Sequence, residues 1–141
     1  MTFVLDTNVV SELRKTLPGR ADAKVMAWIR SVDASELYVS AITLMELEIG
    51  TLSIERRDAV QGARLRMWLE QHVVPEFNHR TLPIDAIVAR RCASLHVPDR
   101  RSDRDALIAA TALVHGMTVV TRNVDDFKPT GVAVLDPWAA S

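Results

Sequence analysis

The segment MTFVLDTNVVSEL, residues 1–13, indicates how this chain folds. A short apolar run from Phe3 to Leu5 ends on Asp6, and apolar residues at helical spacing begin directly afterwards at Val9. This pattern predicts a buried strand that presents a carboxylate at its C-terminal tip and is followed at once by a helix. In sheets built from alternating strands and helices, ligands bind outside the carboxyl ends of the strands. Asp6 is therefore a candidate site residue, although the alternative that it only caps the following helix stays open.

The composition is that of one globular domain. The chain has 141 residues, 48% of them hydrophobic and 25% charged, so we expect a single domain over residues 1–141. The net charge of −1 gives no overall positive field of the kind that attracts nucleic acid. We expect a cytoplasmic protein, because Cys92 is the single cysteine, no leader is evident, and no apolar run approaches the ~18 residues of a membrane span. Cys92 itself is expected to be buried on a helix.

Strands and helices alternate along the rest of the chain. The predicted strands are residues 3–5, 37–39, 81–84, 117–121 and 132–135. The predicted helices are residues 8–14, one capped by Asp22, one from Ser40 through Leu52, residues 56–74, one capped by Asp85, and one ending at Gly116. A turn is predicted at residues 16–19, where proline precedes glycine. The alternation predicts an α/β fold in which helices cover both faces of a parallel sheet.

Four carboxylates fall at strand tips or early in the helices that follow them. Asp6 ends the first strand, Glu46 lies about one and a half turns into the helix after the second, and Asp105 lies in the first turn of the last long helix. Asp126, with Asn123 beside it, follows the fourth strand. Because the carboxyl ends of parallel strands meet at one edge of the sheet, we expect these side chains to share a pocket.

Other charged residues near these positions are expected to face elsewhere. Glu48 and Asp103 lie two helical positions from Glu46 and Asp105, about 200° around the helix, so each is directed away from the pocket. Four arginines of the predicted 56–74 helix are expected to be solvated, with a groove for a partner as the alternative, namely Arg56, Arg57, Arg64 and Arg66.

A cluster of carboxylates predicts a bound metal ion. Carboxylates in one pocket raise one another's pKa unless a divalent cation neutralises them. The candidate ligands are all oxygens, and the four histidines form no HExxH zinc motif. Hard oxygen ligands favour Mg²⁺ or Mn²⁺, which typically act on phosphate groups. The predicted reaction is metal-assisted hydrolysis of a phosphodiester by water.

Two other small α/β classes fit the sequence less well. A receiver domain requires an acidic pair after the first strand, which Asp6, Thr7 and Asn8 do not supply. A phosphatase of the haloacid-dehalogenase type requires a second aspartate two residues after the first, and Asn8 occupies that position.

Five segments, in order and over nearly the whole chain, resemble PIN-domain proteins, specifically the VapC-like ribonuclease toxins of type II toxin–antitoxin modules. They are LDTNVVSEL with Asp6, SAITLMELEIG with Glu46, DALIAATAL with Asp105, TVVTRNVDDF with Asn123 and Asp126, and VAVLDPW near the end. The resemblance implies a three-layer α/β/α fold with a central, mostly parallel sheet of about five strands. It also implies a Mg²⁺- or Mn²⁺-dependent endoribonuclease, a homodimer, and a cognate antitoxin that occupies the acidic pocket.

The resemblance assigns roles to the acidic residues. Asp6 and Asp105 become the principal metal ligands, and Glu46 becomes a ligand or orients the attacking water. Thr7 holds this arrangement by hydrogen bonds.

The fourth acidic position departs from the simplest family pattern. Some relatives have aspartate where Asn123 stands, and asparagine keeps one oxygen ligand but loses the charge. Either Asp126 supplies that charge or a second metal ion binds weakly. We expect Asp126 to complete the metal site, with Asn123 beside it in the catalytic centre and Asp125 facing solvent.

Four arginines are candidates for RNA contact because they lie next to the predicted acids, namely Arg100, Arg101, Arg104 and Arg122. Arginine commonly positions a phosphate backbone without reading its sequence. No aromatic-rich patch argues for base stacking as the main source of affinity. The non-enzymatic alternative is a catalytically silent PIN-like module that binds RNA or an arginine-rich protein, and metal titration with an RNA cleavage assay separates the two.

Overall fold

The computed structural model describes residues 1–16 and 19–139, and it has five strands in one sheet. The strands are β1 (Phe3–Leu5), β2 (Leu37–Ser40), β3 (Thr81–Leu82), β4 (Thr118–Val120) and β5 (Val134–Leu135). The helices are α1 (Thr7–Leu13), α2 (Ala23–Ser31), α3 (Ala41–Arg57), α4 (Ala59–Trp68), α5 (Val74–Glu76), α6 (Ala86–Leu95), α7 (Asp103–His115) and α8 (Val124–Phe127). Short 3₁₀ helices cover Ala34–Glu36 and Lys128–Thr130, and a π-helical turn, Leu69–Val73, joins α4 to α5.

Every neighbouring pair of strands is parallel, in the order β3-β2-β1-β4-β5. From β1 the chain moves outward to β2 and β3, and it later returns to the other side of β1 to add β4 and β5. The reversal of direction therefore falls between β1 and β4, where a crevice opens at the carboxyl ends of the two strands. The predicted three-layer α/β/α fold is confirmed.

Polar side chains start most of the helices, as the sequence predicts. The capping side chains that accept a backbone N–H of their own helix include Asp6, Asp22, Ser40, Asp85 and Ser102. Each satisfies at least one of the donors that the first turn of a helix leaves free. Gly116 ends α7 in the left-handed conformation, at φ 68°.

The core consists of two apolar layers, one on each face of the sheet. Val4 of β1 belongs to the layer beneath α6 and α7, whereas Phe3 and Leu5 belong to the layer beneath α1 and α2. This division follows from the two-residue period of a strand, which directs successive side chains to opposite faces. Fully burying one such side chain stabilises the fold by roughly 1.5–3 kcal/mol. Cys92 is buried on α6, as predicted.

The prediction of one helix over residues 56–74 is wrong. Helix α3 continues to Arg57, and the chain then turns at Asp58, whose backbone is extended (φ −149°, ψ 96°). The Asp58 side chain accepts the N–H of Gln61 at 3.1 Å and starts α4. Pro75, which was expected to end the helix, instead lies in the first turn of α5, after the π-helical turn. A proline tolerates this place because the first turn does not use its missing N–H.

Arg66 was predicted to be solvated, but it forms ion pairs instead, because α3 and α4 fold against each other. Its guanidinium lies 2.6 Å from Glu48 and 2.9 Å from Glu55, and the side chain is 28% exposed. The helices approach so closely that a Cβ atom at Gly62 would lie 2.5 Å from the Cα atom of Glu55. Arg56, Arg57 and Arg64 are exposed, as predicted.

Residues 17 and 18, which belong to the turn predicted at residues 16–19, lie outside the described residues. Among the helices that the structure describes, none has the length and apolar character needed to cross a bilayer.

Candidate active site

Asp6 lies at the carboxyl end of β1 and is 5% exposed. Its Oδ1 accepts the N–H of Thr7 at 2.8 Å, and its Oδ2 accepts the hydroxyl of Thr121 at 2.7 Å. The first contact is a helix cap, so the capping role holds alongside any role in the site. Burial raises the pKa of Asp6, because the charged form loses hydration, and the carboxylates of Glu46 and Asp126 add to this increase.

Glu46 lies in the second turn of α3, and its side chain is 24% exposed. Its Oε1 accepts the hydroxyl of Thr7 at 2.7 Å, which is the kind of contact that the resemblance implied for Thr7. Its Oε2 lies 3.6 Å from Nη1 of Arg104. Glu48 is directed to the other side of the helix, where it binds Arg66, as its position along α3 predicts.

Asp105 lies in the first turn of α7, and its pKa is raised to about 6. Burial is the main cause, and the charges of Asp6, Asp126 and Glu46 contribute in that order. A carboxylate raises the pKa of another only when the two are close. The four predicted acids thus lie at the carboxyl edge of the sheet, near enough for the charges of the other three to act on Asp105.

Asn123 and Asp126 both lie at the start of α8. The N–H of Asn123 donates to Oγ1 of Thr121 at 3.0 Å, and its carbonyl accepts the N–H of Asp126 at 3.1 Å. Asp126 is exposed, but its charge raises the pKa of the acids beside it. The Asp125 side chain is 99% exposed and lies 3.9 Å from Nζ of Lys128. Asp126 rather than Asp125 thus belongs to the acidic cluster, and Asp125 faces solvent as predicted.

The acidic cluster is the set Asp6, Glu46, Asp105 and Asp126, and its donors suit a hard divalent cation. Within residues 1–16 and 19–139, no three His, Cys, Asp or Glu side chains stand close enough together to enclose an ion. Mg²⁺ does not require such a cage, because it keeps several waters and is usually bound through one or two carboxylates. The raised pKa values are also those of carboxylates that a cation would stabilise in the charged form. The oxygen donors of the cluster are therefore compatible with a hard divalent cation that keeps part of its coordination as water.

Comparison with known proteins identifies the family of this chain. The family model described as "PIN domain" matches residues 3–132. The chain belongs to the PIN-domain family. It is 39% identical over 144 residues to the VapC ribonuclease Y4jK of Sinorhizobium fredii, covering 96% of this chain and 97% of the relative.

Two further comparisons agree with this assignment. The PIN-domain chain is 36% identical to Toxin FitB of Neisseria gonorrhoeae over 96% of its length and 98% of the toxin. It superimposes on the crystal structure of FitAcB from Neisseria gonorrhoeae with a TM-score of 0.87 and 35% identity, covering 99% of this chain and 100% of that one.

Two of the four arginines that are candidates for RNA contact lie in or beside the loop that precedes α7 of this PIN domain. Arg100 is strongly exposed, and its Nη2 lies 3.6 Å from Oδ1 of Asp103. Arg101 is half-buried, and its Nε donates to the carbonyl of Leu95 at 2.5 Å. The guanidinium of Arg101, which was expected to contact RNA, therefore fastens the loop to the end of α6.

The other two arginines lie closer to the acidic cluster. Arg104 pairs with Glu46, as described above. Arg122 is exposed, and its guanidinium carbon lies over the ring of Trp138, 5.2 Å from the ring centroid. The two arginines thus differ in the partner that holds them, since one contacts a carboxylate and the other an aromatic face.

Thr121, at the end of β4, is a site residue that the sequence analysis missed. It is fully buried, and its hydroxyl donates to Asp6 while accepting the N–H of Asn123 and, at 3.4 Å, Nδ2 of Asn8. A hydroxyl has one donor and two acceptor positions, so these three contacts use its full capacity. The signal available in the sequence was a threonine at the tip of the fourth strand, directly opposite the tip that carries Asp6.

The raised pKa of Asp105 predicts a pH dependence of stability in the absence of divalent metal. The folded carboxyl group holds its proton up to pH about 6, whereas the unfolded group releases it near 3.8. Between these values the folded state binds more protons, so the free energy of unfolding falls as the pH rises. We expect a loss on the order of 1–2 kcal/mol from pH 4 to pH 7 after allowing for screening.

Urea unfolding in EDTA measures this effect as the difference between the wild type and Asp105→Asn. The variant should gain stability relative to the wild type as the pH rises, and Mg²⁺ should reduce the gain. A difference that does not change with pH would contradict the expected cause.

Proposed function

We propose that this chain is a divalent-metal-dependent endoribonuclease that hydrolyses RNA phosphodiester bonds as the toxin of a toxin–antitoxin pair. The observation that carries the proposal is the acidic cluster at the β1–β4 crevice of a PIN domain, in which Asp105 has a pKa of about 6. The names of its relatives, a VapC ribonuclease and Toxin FitB, support the same class of activity.

Mg²⁺ or Mn²⁺ would be held by Asp6 and Asp105, with Glu46 and Asp126 completing the site. When bound, such an ion activates water and stabilises the charge that develops on a phosphate. The chain's own hydrogen bonds prepare this arrangement, because Thr7 fixes Glu46 through a 2.7 Å contact. Asn123 is proposed as a neutral oxygen donor beside the cluster.

The proposal includes partners as well as the substrate. A cognate antitoxin is supported by a solved structure, 25% identical to this chain, that is described as a toxin–antitoxin complex from Klebsiella pneumoniae. A homodimer is supported by a stripe of exposed apolar side chains along α3, formed by Met45, Ile49 and Leu52. We further propose that residues 1–141 form one PIN domain and that it acts on RNA in the cytoplasm.

Metal dependence is the direct test of the proposed activity. Purified protein is incubated with a mixed pool of structured RNAs in Mg²⁺, in Mn²⁺ and in EDTA, and cleavage sites are mapped by sequencing. We expect cleavage with either metal, none in EDTA, and recovery when metal is restored, because the uncompensated carboxylates repel the phosphate. Cleavage that persists in EDTA would contradict the metal-dependent mechanism.

A catalytically silent module is the second candidate, and one contact favours it. Arg104 lies 3.6 Å from Glu46, so the acidic cluster already accommodates a guanidinium group. A docking site for an arginine-rich protein uses the same chemistry. Binding of a basic peptide without RNA cleavage in any metal would favour this candidate.

A further inference from the structure

Arg122 is held over the ring of Trp138 at the edge of the acidic cluster. The guanidinium carbon lies 5.2 Å from the ring centroid, a distance at which the ring face attracts a cation. Arg122 directly follows Thr121, whose hydroxyl donates to Asp6, and directly precedes Asn123. The pair is thus only one residue along the chain from the contacts that organise the site.

The ring itself is fixed in place. The backbone N–H of Trp138 donates to Oδ1 of Asp136 at 2.9 Å, and this contact closes a turn after β5. The half-buried indole packs against the apolar layer that contains Phe3 and Leu5. The backbone of Arg122 is held as well, because its N–H donates to Oδ1 of Asn8 at 3.4 Å. An arginine held in this way loses less conformational freedom when it binds an anion.

An RNA phosphate that approaches four carboxylates needs a cation that is not already neutralised. Arg100 and Arg104 pair with carboxylates, and Arg101 donates to a carbonyl. Among the ion pairs within residues 1–16 and 19–139, none involves Arg122. An aromatic face holds the guanidinium without cancelling its charge, so its N–H groups remain available for a phosphate.

The space beside Arg122 is suitable for this purpose. A groove of about 420 Å³ runs along the start of α8. Its lining includes the cations Arg122 and Lys128 and the carboxylates Asp125, Asp126 and Asp136. Lys128 lies 3.9 Å from Asp125, so Arg122 is the cation of this groove that enters none of the ion pairs within residues 1–16 and 19–139. A single-stranded RNA backbone lying there would have a phosphate near Arg122 while a neighbouring phosphodiester reaches the acidic cluster.

We infer that Arg122 anchors an RNA backbone phosphate next to the acidic cluster, with Trp138 as the residue that positions Arg122. This inference rests on the proposed function and specifies how that site holds its substrate. The contact is made to phosphate, so it is independent of base sequence.

RNA binding by variants in an Asp105→Asn background tests the anchor, because that background allows the RNA to remain intact. The probe is a fluorescein-labelled single-stranded RNA of mixed sequence, and anisotropy is measured in Mg²⁺ over a range of salt concentrations. We expect Arg122→Ala to weaken binding about tenfold. It should also reduce the slope of log K against log salt by about 0.7, the value for one lost phosphate contact to a single strand.

Trp138 is tested by rescue and by coupling. Trp138→Ala should weaken binding about threefold and Trp138→Phe by less, because phenylalanine keeps an aromatic face for the cation. The double variant of Arg122 and Trp138 to alanine should bind no more weakly than Arg122→Ala alone. A purely structural role for Trp138 would instead give additive losses. Arg90→Ala removes an exposed arginine of α6 outside this groove and is the matched control.

Several outcomes would overturn the anchor. One is an affinity and salt slope for Arg122→Ala equal to those of Arg90→Ala. Another is a loss confined to one homopolymeric RNA with an unchanged salt slope, which would indicate base stacking. Parallel cleavage assays with Asp105 intact keep the two proposals apart. Cleavage without an effect of Arg122 overturns only the anchor, and Arg122-dependent binding without cleavage overturns only the nuclease.

Discussion

Asp105→Asn is expected to reduce RNA cleavage by about 100-fold or more, because it removes one charge from a site that depends on all of its charges. Asparagine has nearly the same shape as aspartate, and Ser102 rather than Asp105 caps α7. The helix should therefore stay in place while its contribution to metal binding is lost. The measurement is the single-turnover rate of RNA cleavage at a high Mg²⁺ concentration.

Asp103→Asn is the matched control for this substitution. Asp103 lies two positions away on α7, and its carboxylate contacts Arg100 and His96 rather than the acidic cluster. Both variants remove one carboxylate from the first turn of the same helix, so they share any general effect on helix stability. Equal cleavage rates for the two variants would contradict the role proposed for Asp105. Thermal melts in EDTA verify that both are folded.

The sequence predicted the parts of this fold that depend on local patterns. Strand β1 was predicted with its observed bounds, because three apolar residues end sharply at a polar tip. The caps Asp22, Ser40 and Asp85 were likewise predicted, because a side chain that accepts a nearby N–H acts within its own segment.

The errors occurred where contacts between segments decide the outcome. Asp58 caps α4, but helix-forming residues continue on both sides of it, and the packing of α4 back on α3 completes the break. Arg66 pairs with Glu48 and Glu55 because α4 packs back on α3. The prediction of one continuous helix lacked this contact and therefore placed Arg66 in solvent. Local propensity carries no information on either contact.

The candidate site divides in the same way. The four acids could be proposed because strand tips meet at one edge of a parallel sheet, and a carboxylate at a tip is visible in the sequence. Thr121 and Trp138 were missed because their roles consist of contacts to distant segments, to Asp6 and to Arg122. A buried threonine at a strand end looks like any other strand residue until its hydrogen-bond partners are known.

Thr121→Val is expected to lower RNA cleavage by about 10- to 100-fold, the usual effect of losing a residue that orients a metal ligand. Valine keeps the shape of threonine but leaves Oδ2 of Asp6 and the N–H of Asn123 without the hydroxyl that they share. Asp6 then keeps only its contact with the N–H of Thr7 and is held less firmly. Its pKa also rises further, because the hydrogen bond from Thr121 lowers it. The loss should appear mainly in metal affinity, measured by titrating Mg²⁺ in single-turnover cleavage.

Stability must be separated from this effect, since an unpaired buried polar group costs about 1–3 kcal/mol. Thr111→Val provides the comparison. Thr111 is equally buried, in α7, and its hydroxyl donates to the carbonyl of Leu107 at 2.7 Å, away from the acidic cluster. We expect Thr111→Val to lower the melting temperature without changing the Mg²⁺ titration.

Thr121→Ser completes the argument, because serine keeps the hydroxyl and loses only a methyl group. Cleavage and Mg²⁺ affinity should recover to within about threefold of the wild type, since the three hydrogen bonds at this position can still form. If Thr121→Ser is as defective as Thr121→Val, the methyl packing of residue 121 matters rather than its hydrogen bonds. In that case Asp6 is oriented by the fit of the β1 and β4 strand ends, and the hydroxyl contact is incidental.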